Sequence, residues 1–372
     1  MTPVRVGFVT AHVIEGGAER QLRDLVGLLG PDWVSRIICL NAGAAVERLR
    51  SAGYAPDVIP AGASPFAILR AAWTVRRALR ATDAQVVHAD GVKAALVCAI
   101  AGIGTGMPLV WVKHDLSWDG WLARSIACRC FRVVAVSAAV AGMFGPRLQR
   151  KVKVIHTGIE LHPADRAAGR RLVEQAAGGD PHAAAICLVG RFDPRKGHRE
   201  VLAAAPALAD GSPGLRILFI GPDDPFHPAY RHQLEGEIAT AGLARTVLCL
   251  GFRADAVQLI AGCDVLVIPS VADPSGRGVE GFPYTGLEAM SVGTPVVAYA
   301  HGGVPEQLGD CGVLVPPADR EALRLALAGL LGDASKREQL AECGRRRASR
   351  FSPEAMVAAF RETYADAAGS SL

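Results

Sequence analysis

Residues 265–298 read VLVIPSVADPSGRGVEGFPYTGLEAMSVGTPVVA. A continuous apolar run, Val265–Pro269, leads into a Gly/Pro-rich loop, a helix-favouring segment at Leu287–Val292, and a second apolar run, Pro295–Ala298. Strands apolar at every position belong to sheets covered on both faces, and two of them joined through a helix form a parallel crossover. The stretch therefore predicts a parallel sheet flanked by helices. Its loop follows the carboxyl end of a strand, which is where such sheets hold ligands.

The same alternation extends in both directions. Strands are predicted at Val4–Thr10, Ser35–Leu40, Val86–Ala89, Leu109–Lys113, Val133–Ser137 and Val152–His156. After a break rich in Ala, Arg and Gly at Glu160–His182, they resume at Ala185–Gly190, Arg216–Gly221 and Thr246–Gly251, and close with Gly312–Val315. The fold class is α/β, with two doubly wound Rossmann-like domains facing across a cleft. The expected spans are 1–165, 166–351 and a terminal helix over 352–372. Ser352 and Pro353 suit the start of that helix, and Met356, Phe360 and Tyr364 recur at the spacing of one buried face.

Composition supports this outline. Of 372 residues, 50% are hydrophobic and 20% charged, which excludes a disordered or collagen-like chain. Most of the nine cysteines, among them Cys39, Cys98, Cys187, Cys249 and Cys263, sit in apolar runs, as buried reduced thiols of a cytosolic protein do. No cysteine pair has zinc-site spacing. The N-terminus enters a strand without a signal peptide, and glycines at 102, 104 and 106 interrupt the uncharged stretch Ala94–Val112, so it reads as helix, turn and strand and not as a membrane span. Residues 1–165 hold 19 Lys+Arg against 12 Asp+Glu, the remainder 21 against 24. The first part is thus the better candidate for anionic surfaces.

Four loops carry candidate chemistry. Gly16 and Gly17 follow the first strand and open a helix from about Ala18 to Leu29, which would let backbone N–H groups approach an anion; a plain tight turn accounts for the pair equally well. The spacing is not that of a dinucleotide-binding loop. His88 and His114-Asp115 end the third and fourth strands and would give the cleft a polar wall. Arg191 and Lys196 follow the strand Ala185–Gly190, a guanidinium fork and a point charge suited to a diphosphate. Glu280 and Glu288 flank Gly281-Phe-Pro-Tyr284-Thr285-Gly286-Leu287, so Glu280 is expected on the loop and Glu288 in the first helical turn. Two carboxylates there can accept hydrogen bonds from sugar and ribose hydroxyls, while the helix N–H groups face phosphate.

With these motifs assembled, the chain resembles a retaining glycosyltransferase of family 4 with the GT-B fold. The resemblance rests on Glu280-Gly-Phe-Pro-Tyr-Thr-Gly-Leu-Glu288, on Gly302-Gly303-Val-Pro-Glu306, on Gly190-Arg191-Phe-Asp-Pro-Arg-Lys196-Gly197 and on Gly16-Gly17-Ala-Glu-Arg20. It implies that Arg191 and Lys196 hold the diphosphate of a UDP- or GDP-linked sugar, and that Glu288 binds ribose. Glu280 and His114 would touch the transferred sugar, Gly16 and Gly17 would close over the phosphates, and Tyr284, Thr285 and Gly286 would line the donor. Phe252 and Arg253 fall where the nucleobase packs. The first domain becomes the acceptor side, the second the donor side, and the terminal helix returns to the first. Pro283 stands where the family's loop usually has a second glycine, which alters how this loop can hold a sugar.

The implied reaction is sugar transfer with retention to a saccharide or lipid-linked acceptor in envelope polysaccharide or glycolipid assembly. A soluble natural-product acceptor is the alternative, and a sugar-nucleotide epimerase of the same fold a further one. No metal, cofactor or nucleic acid is expected to take part. Arg70, Arg76, Arg77 and Arg80 share a segment with Leu69, Ala72, Trp73 and Leu79. Such a basic amphipathic helix can lie on an anionic membrane, so peripheral attachment at the cytoplasmic face enters the expectations; a surface helix with snorkelling arginines would read the same.

Overall fold

The structure, a computed structural model, describes residues 2–11, 16–117, 120–163, 165–178, 180, 182–274 and 276–369. The chain divides into two units, Met1–Gly158 together with Phe351–Leu372, and Ile159–Arg350. Unit 1 carries the strands β1 (Val6–Thr10), β2 (Val34–Cys39), β3 (Asp57–Val58), β4 (Val86–Asp90), β5 (Leu109–Lys113), β6 (Arg132–Ala135) and β7 (Val152–Val154). Unit 2 carries β8 (Ala185–Val189), β9 (Arg216–Ile220), β10 (Val247–Gly251), β11 (Val265–Ile268), β12 (Val296–Tyr299) and β13 (Val313–Val315). Every strand pairing is parallel. The half-buried, two-residue β3 lies at a sheet edge and was not expected, because an apolar run that short leaves no periodic signal.

Strand order is β3-β2-β1-β4-β5-β6-β7 in unit 1 and β10-β9-β8-β11-β12-β13 in unit 2. Each sheet therefore reverses its winding once, between β1 and β4 and between β8 and β11. At such a switch point the two crossovers leave on opposite faces, and a crevice opens beyond the strand ends. Sequence and topology thus deliver Gly16, His114 and Asp90 to one crevice region, and Arg191, Lys196 and Glu280 to the other.

Both faces of the unit 1 sheet are covered, and every residue of β1, β4 and β5 is buried. On one face Phe8, Val86 and Val110 pack with Met356, Val357, Phe360 and Tyr364 of the helix Pro353–Gly369. Burying each of those four side chains contributes about 1.5–3 kcal/mol before the cost of ordering the helix. At the base of this helix a Cβ on Gly158 would meet Ser352 O and Pro353 Cα at 2.7 Å, so only glycine lets the two chain segments pass. Helix Val92–Ala101, a turn and β5 account for the long uncharged stretch. Among the described residues no helix is long and apolar enough to cross a membrane.

One cysteine expectation is corrected. Cys311, ahead of β13, and Cys343, on helix Ala334–Ala348, form a disulfide across a separation of 32 residues. Only tertiary packing brings them together, so spacing gave no warning. The five cysteines in apolar runs are free thiols, and burial pushes Cys249 and Cys39 up to about 12 and 11.

Candidate functional site

Unit 2 builds its site from the ends of β8 and β11. Beyond β8, buried Asp193 accepts a hydrogen bond from the Arg195 backbone N–H at 2.9 Å and caps a single tight turn, Pro194–Lys196. Gly197 then adopts a left-handed conformation (φ 76°), and a Cβ there would stand 1.9 Å from Pro269 O. The loop of β8 is thereby pressed against the end of β11, and Lys196 reaches across the switch point. Its Nζ lies 2.7 Å from Glu280 Oε1, and the Ser270 hydroxyl donates to the same oxygen at 2.6 Å.

Burial by itself would raise the Glu280 pKa. The charge and hydrogen bond of Lys196, the Ser270 hydroxyl and nearby His301 outweigh it and hold the carboxyl below its ordinary range. Glu280 is therefore an ionised carboxylate among fixed donors. Its main chain is held as well: the Gly303 N–H donates to Glu280 O at 2.9 Å, and a Cβ on Gly302 would meet that oxygen at 2.1 Å. His301 Nε2 donates to Ser270 O at 2.6 Å, tying the loop after β12 to the end of β11.

Arg191 stands 3.6 Å from Asp224 Oδ1, beyond β9. Asp224 is fully buried, and His227 Nδ1 donates to its Oδ2 at 2.7 Å. Asp193, Asp224 and His227 bring three potential metal-ligand atoms within 4.8 Å of one another. Arg195 and Arg191 adjoin the same carboxylates, so much of the negative charge that would draw a cation is already offset.

Unit 1 places His114 just beyond β5, where its Nε2 donates to Asp90 Oδ1 at the end of β4. Asp90 is buried, so the contact orients the imidazole. Lys113, fully buried, donates to Asp115 and to Ser117 O. Asp90, Lys93, Lys113, His114, Asp115 and Ser117 contribute to a cavity of about 230 Å³. Gly16 caps helix Gly17–Leu29. The four residues before it in the same loop, His12 to Glu15, lie outside the described residues.

The family profile described as Glycosyl transferases group 1 matches residues 175–347, and that of Glycosyltransferase Family 4 matches residues 15–162. The chain belongs to the family-4, group 1 glycosyltransferases. A D-inositol 3-phosphate glycosyltransferase of Salinispora arenicola is 30% identical over 295 residues, which cover 70% of this chain and 64% of that protein. One of Segniliparus rotundus is 30% identical over 58% of this chain and 47% of its own length. The chain thus spans from about half to just under two thirds of these curated relatives. The crystal structure of HepE from Anabaena in complex with UDP is similar over 98% of this chain and 100% of that one, at 25% identity and a TM-score of 0.85.

In this family-4 chain the glutamate signature is assembled differently from its sequence expectation. The helix starts at Tyr284 and not at Leu287, because Pro283, which has no N–H to lose, takes the position before the first turn. Its carbonyl accepts a hydrogen bond from Gln307 Nε2 at 2.8 Å. Glu288 consequently lies in the second turn and is buried, while Tyr284 and Gly286 are buried in the first and Thr285 is half-buried. Gly286 has no space for a side chain, since a Cβ would meet Gln307 Oε1 at 2.2 Å.

Lys196 and Glu280 are in direct contact, and Arg191 leaves the same strand end. Phe252 and Arg253 sit apart from them at the end of edge strand β10, with Phe252 exposed and Arg253 paired with Asp255 at 2.7 Å. His88 is corrected: it is buried among Phe8, Phe360 and Tyr364 and shares a 2.6 Å hydrogen bond with the Tyr364 hydroxyl. It sits mid-strand beneath the helix Pro353–Gly369, while Asp90, on the same strand face but at the strand's end, meets His114. Sequence reasoning missed Ser270, Asp224 and His301. Ser270 and His301 each fall within two residues of a strand's end, and that placement was the available signal.

Proposed function

We propose that the chain transfers a sugar from a UDP- or GDP-linked donor to a hydroxyl of a saccharide or lipid-linked acceptor, with retention of configuration, in envelope polysaccharide or glycolipid assembly. The observation that carries the reading is the pair at the unit 2 switch point, where Lys196 contacts ionised Glu280 and Arg191 leaves the end of β8 beside Asp224. Breaking a glycosidic phosphate bond leaves negative charge on the departing diphosphate. A fixed guanidinium, an ammonium and the first-turn N–H groups of helix Tyr284–Val292 can stabilise that charge without reorganising. Glu280 and Glu288 then serve as acceptors for hydroxyls of the sugar and ribose. The family resemblance assigns His114, oriented by Asp90, to a sugar hydroxyl, Gly16 and Gly17 to the phosphates, and Phe252 and Arg253 to the base. The UDP of HepE supports a uridine donor. Protein cations carry the leaving-group charge in this reading, so neither metal nor cofactor takes part, and the reaction belongs to the cytoplasmic side of the membrane.

The test is a panel of nucleotide sugars incubated with the protein in EDTA. Slow release of UDP or GDP from one donor, abolished in the Arg191→Ala variant at unchanged thermal stability, is the expected outcome. Interconversion of the nucleotide sugar without its hydrolysis would identify an epimerase instead. Strict dependence on a divalent ion would refute the metal-free mechanism.

A further inference from the structure

Helix Pro65–Arg80 starts with Ser64, whose hydroxyl accepts the Ala67 N–H at 3.2 Å, and buries Ala71, Ala72, Val75 and Leu79 against unit 1. Its opposite face is unusual. Phe66, Leu69 and Trp73 are 77%, 56% and 58% exposed, and at 100° per residue they share one stripe with exposed Arg70, Arg77 and Arg80. A soluble surface tolerates single exposed apolar residues; three large ones in one stripe mark an interaction surface. The Arg77 guanidinium stacks 4.7 Å from the Trp73 ring, which keeps a cation at the same level as the apolar tip. On one flank Arg76 donates to Ala101 O at 3.2 Å and to Ile103 O, and Ile103 is itself 51% exposed.

We infer that this face docks unit 1 on an anionic lipid bilayer, with Phe66, Leu69 and Trp73 entering the headgroup boundary and the arginines meeting lipid phosphates. Charge decides the occupant. The helix contains no acidic residue. A second copy of the chain set face to face would oppose arginine to arginine, whereas an anionic surface matches all three. Interfacial helices combine an aromatic and aliphatic stripe with arginines in this way. The inference extends the proposed transfer to a saccharide or lipid-linked acceptor by naming the surface that would bring the chain to the membrane. Its test uses no donor, so failure of the transferase reading leaves it standing.

The full chain is co-sedimented at low salt with vesicles of phosphatidylcholine alone and of phosphatidylcholine with 30% phosphatidylglycerol, a composition set to about one anionic lipid in three. Binding to the anionic vesicles only, weakening as salt rises, is expected. Each surface arginine contributes roughly a fivefold gain in partitioning, so Arg70→Glu with Arg77→Glu lowers binding by at least about tenfold. Phe66→Ser with Trp73→Ser lowers it too, and quenching of tryptophan fluorescence by brominated lipid is lost in Trp73→Phe. All these positions are exposed, so unfolding temperatures remain those of the parent chain. Absence of binding to anionic vesicles at low salt overturns the inference, as does equal binding by both double variants. A solution dimer that dissociates in Phe66→Ser/Trp73→Ser overturns it in favour of a second copy.

Discussion

At the scale of single residues, the centre of unit 2 is a charge pair, Lys196 with Glu280 at 2.7 Å. Lys196 is the largest influence holding Glu280 ionised against its burial. In Lys196→Met the carboxyl loses its main counter-charge and should become harder to ionise, and turnover should fall by about 10²–10³-fold, the usual cost of one lost electrostatic contact to a leaving group. Adding Glu280→Gln to that variant should recover unfolding temperature without restoring turnover, because it replaces a carboxyl that has lost its counter-charge by a neutral group and supplies no contact to the leaving group. Recovery of turnover in the double variant would contradict the roles assigned. A second residue-scale expectation concerns acid. Burial holds His88 near 4, against 6.5 in the unfolded chain, so the folded ring stays neutral. As pH falls from about 6.5 towards 4, the unfolded chain binds a proton that the fold refuses, and stability present at pH 7 is lost. The loss amounts to roughly 3 kcal/mol. His198, stacked on Phe192 and pushed down to about 3, acts in the same direction in unit 2. Urea titrations at pH 7 and 4.5 measure the combined effect, and His88→Asn should flatten the part belonging to unit 1.

At the scale of elements, the turn Pro194–Lys196 is set by Gly197. Gly197→Ala places a methyl group on a left-handed residue and against Pro269 O, so it should destabilise unit 2 by about 2–4 kcal/mol and displace Lys196. Thermal unfolding reads the first effect and donor hydrolysis the second; a variant with parent-like values in both would show that the loop tolerates side chains there. The elements themselves were legible because strands buried on both faces are apolar at each position. Twelve of them stand within two residues of where the apolar runs lie, as with Leu109–Lys113. What escaped were features made by contact between distant segments. The start of helix Tyr284–Val292 depends on Gln307 reaching Pro283, and the environment of Glu280 depends on Ser270 from the far end of its own loop and on His301 from the loop after β12. His88 and Asp90 share one strand and both are polar, and local sequence does not tell which of them finds its partner on a helix in the core.

At the scale of the whole molecule, unit 2 is an insertion into unit 1, since residues 351–372 return to the sheet formed by residues 1–158. Deleting residues 352–372 should leave Phe8, Val86 and Val110 uncovered and yield a chain that aggregates, as measured by its soluble fraction on expression. Soluble truncated protein with the parent unfolding temperature would show that the helix is dispensable. The crossing at Gly158 and Ser352-Pro353 has a temporal meaning too. A ribosome makes the seven strands of unit 1 first, yet the helix that seals their sheet emerges only after all of unit 2 has been synthesised. During translation the nascent first sheet must wait with an open apolar face. The order of synthesis therefore favours unit 2 as the earlier of the two to reach its final packing.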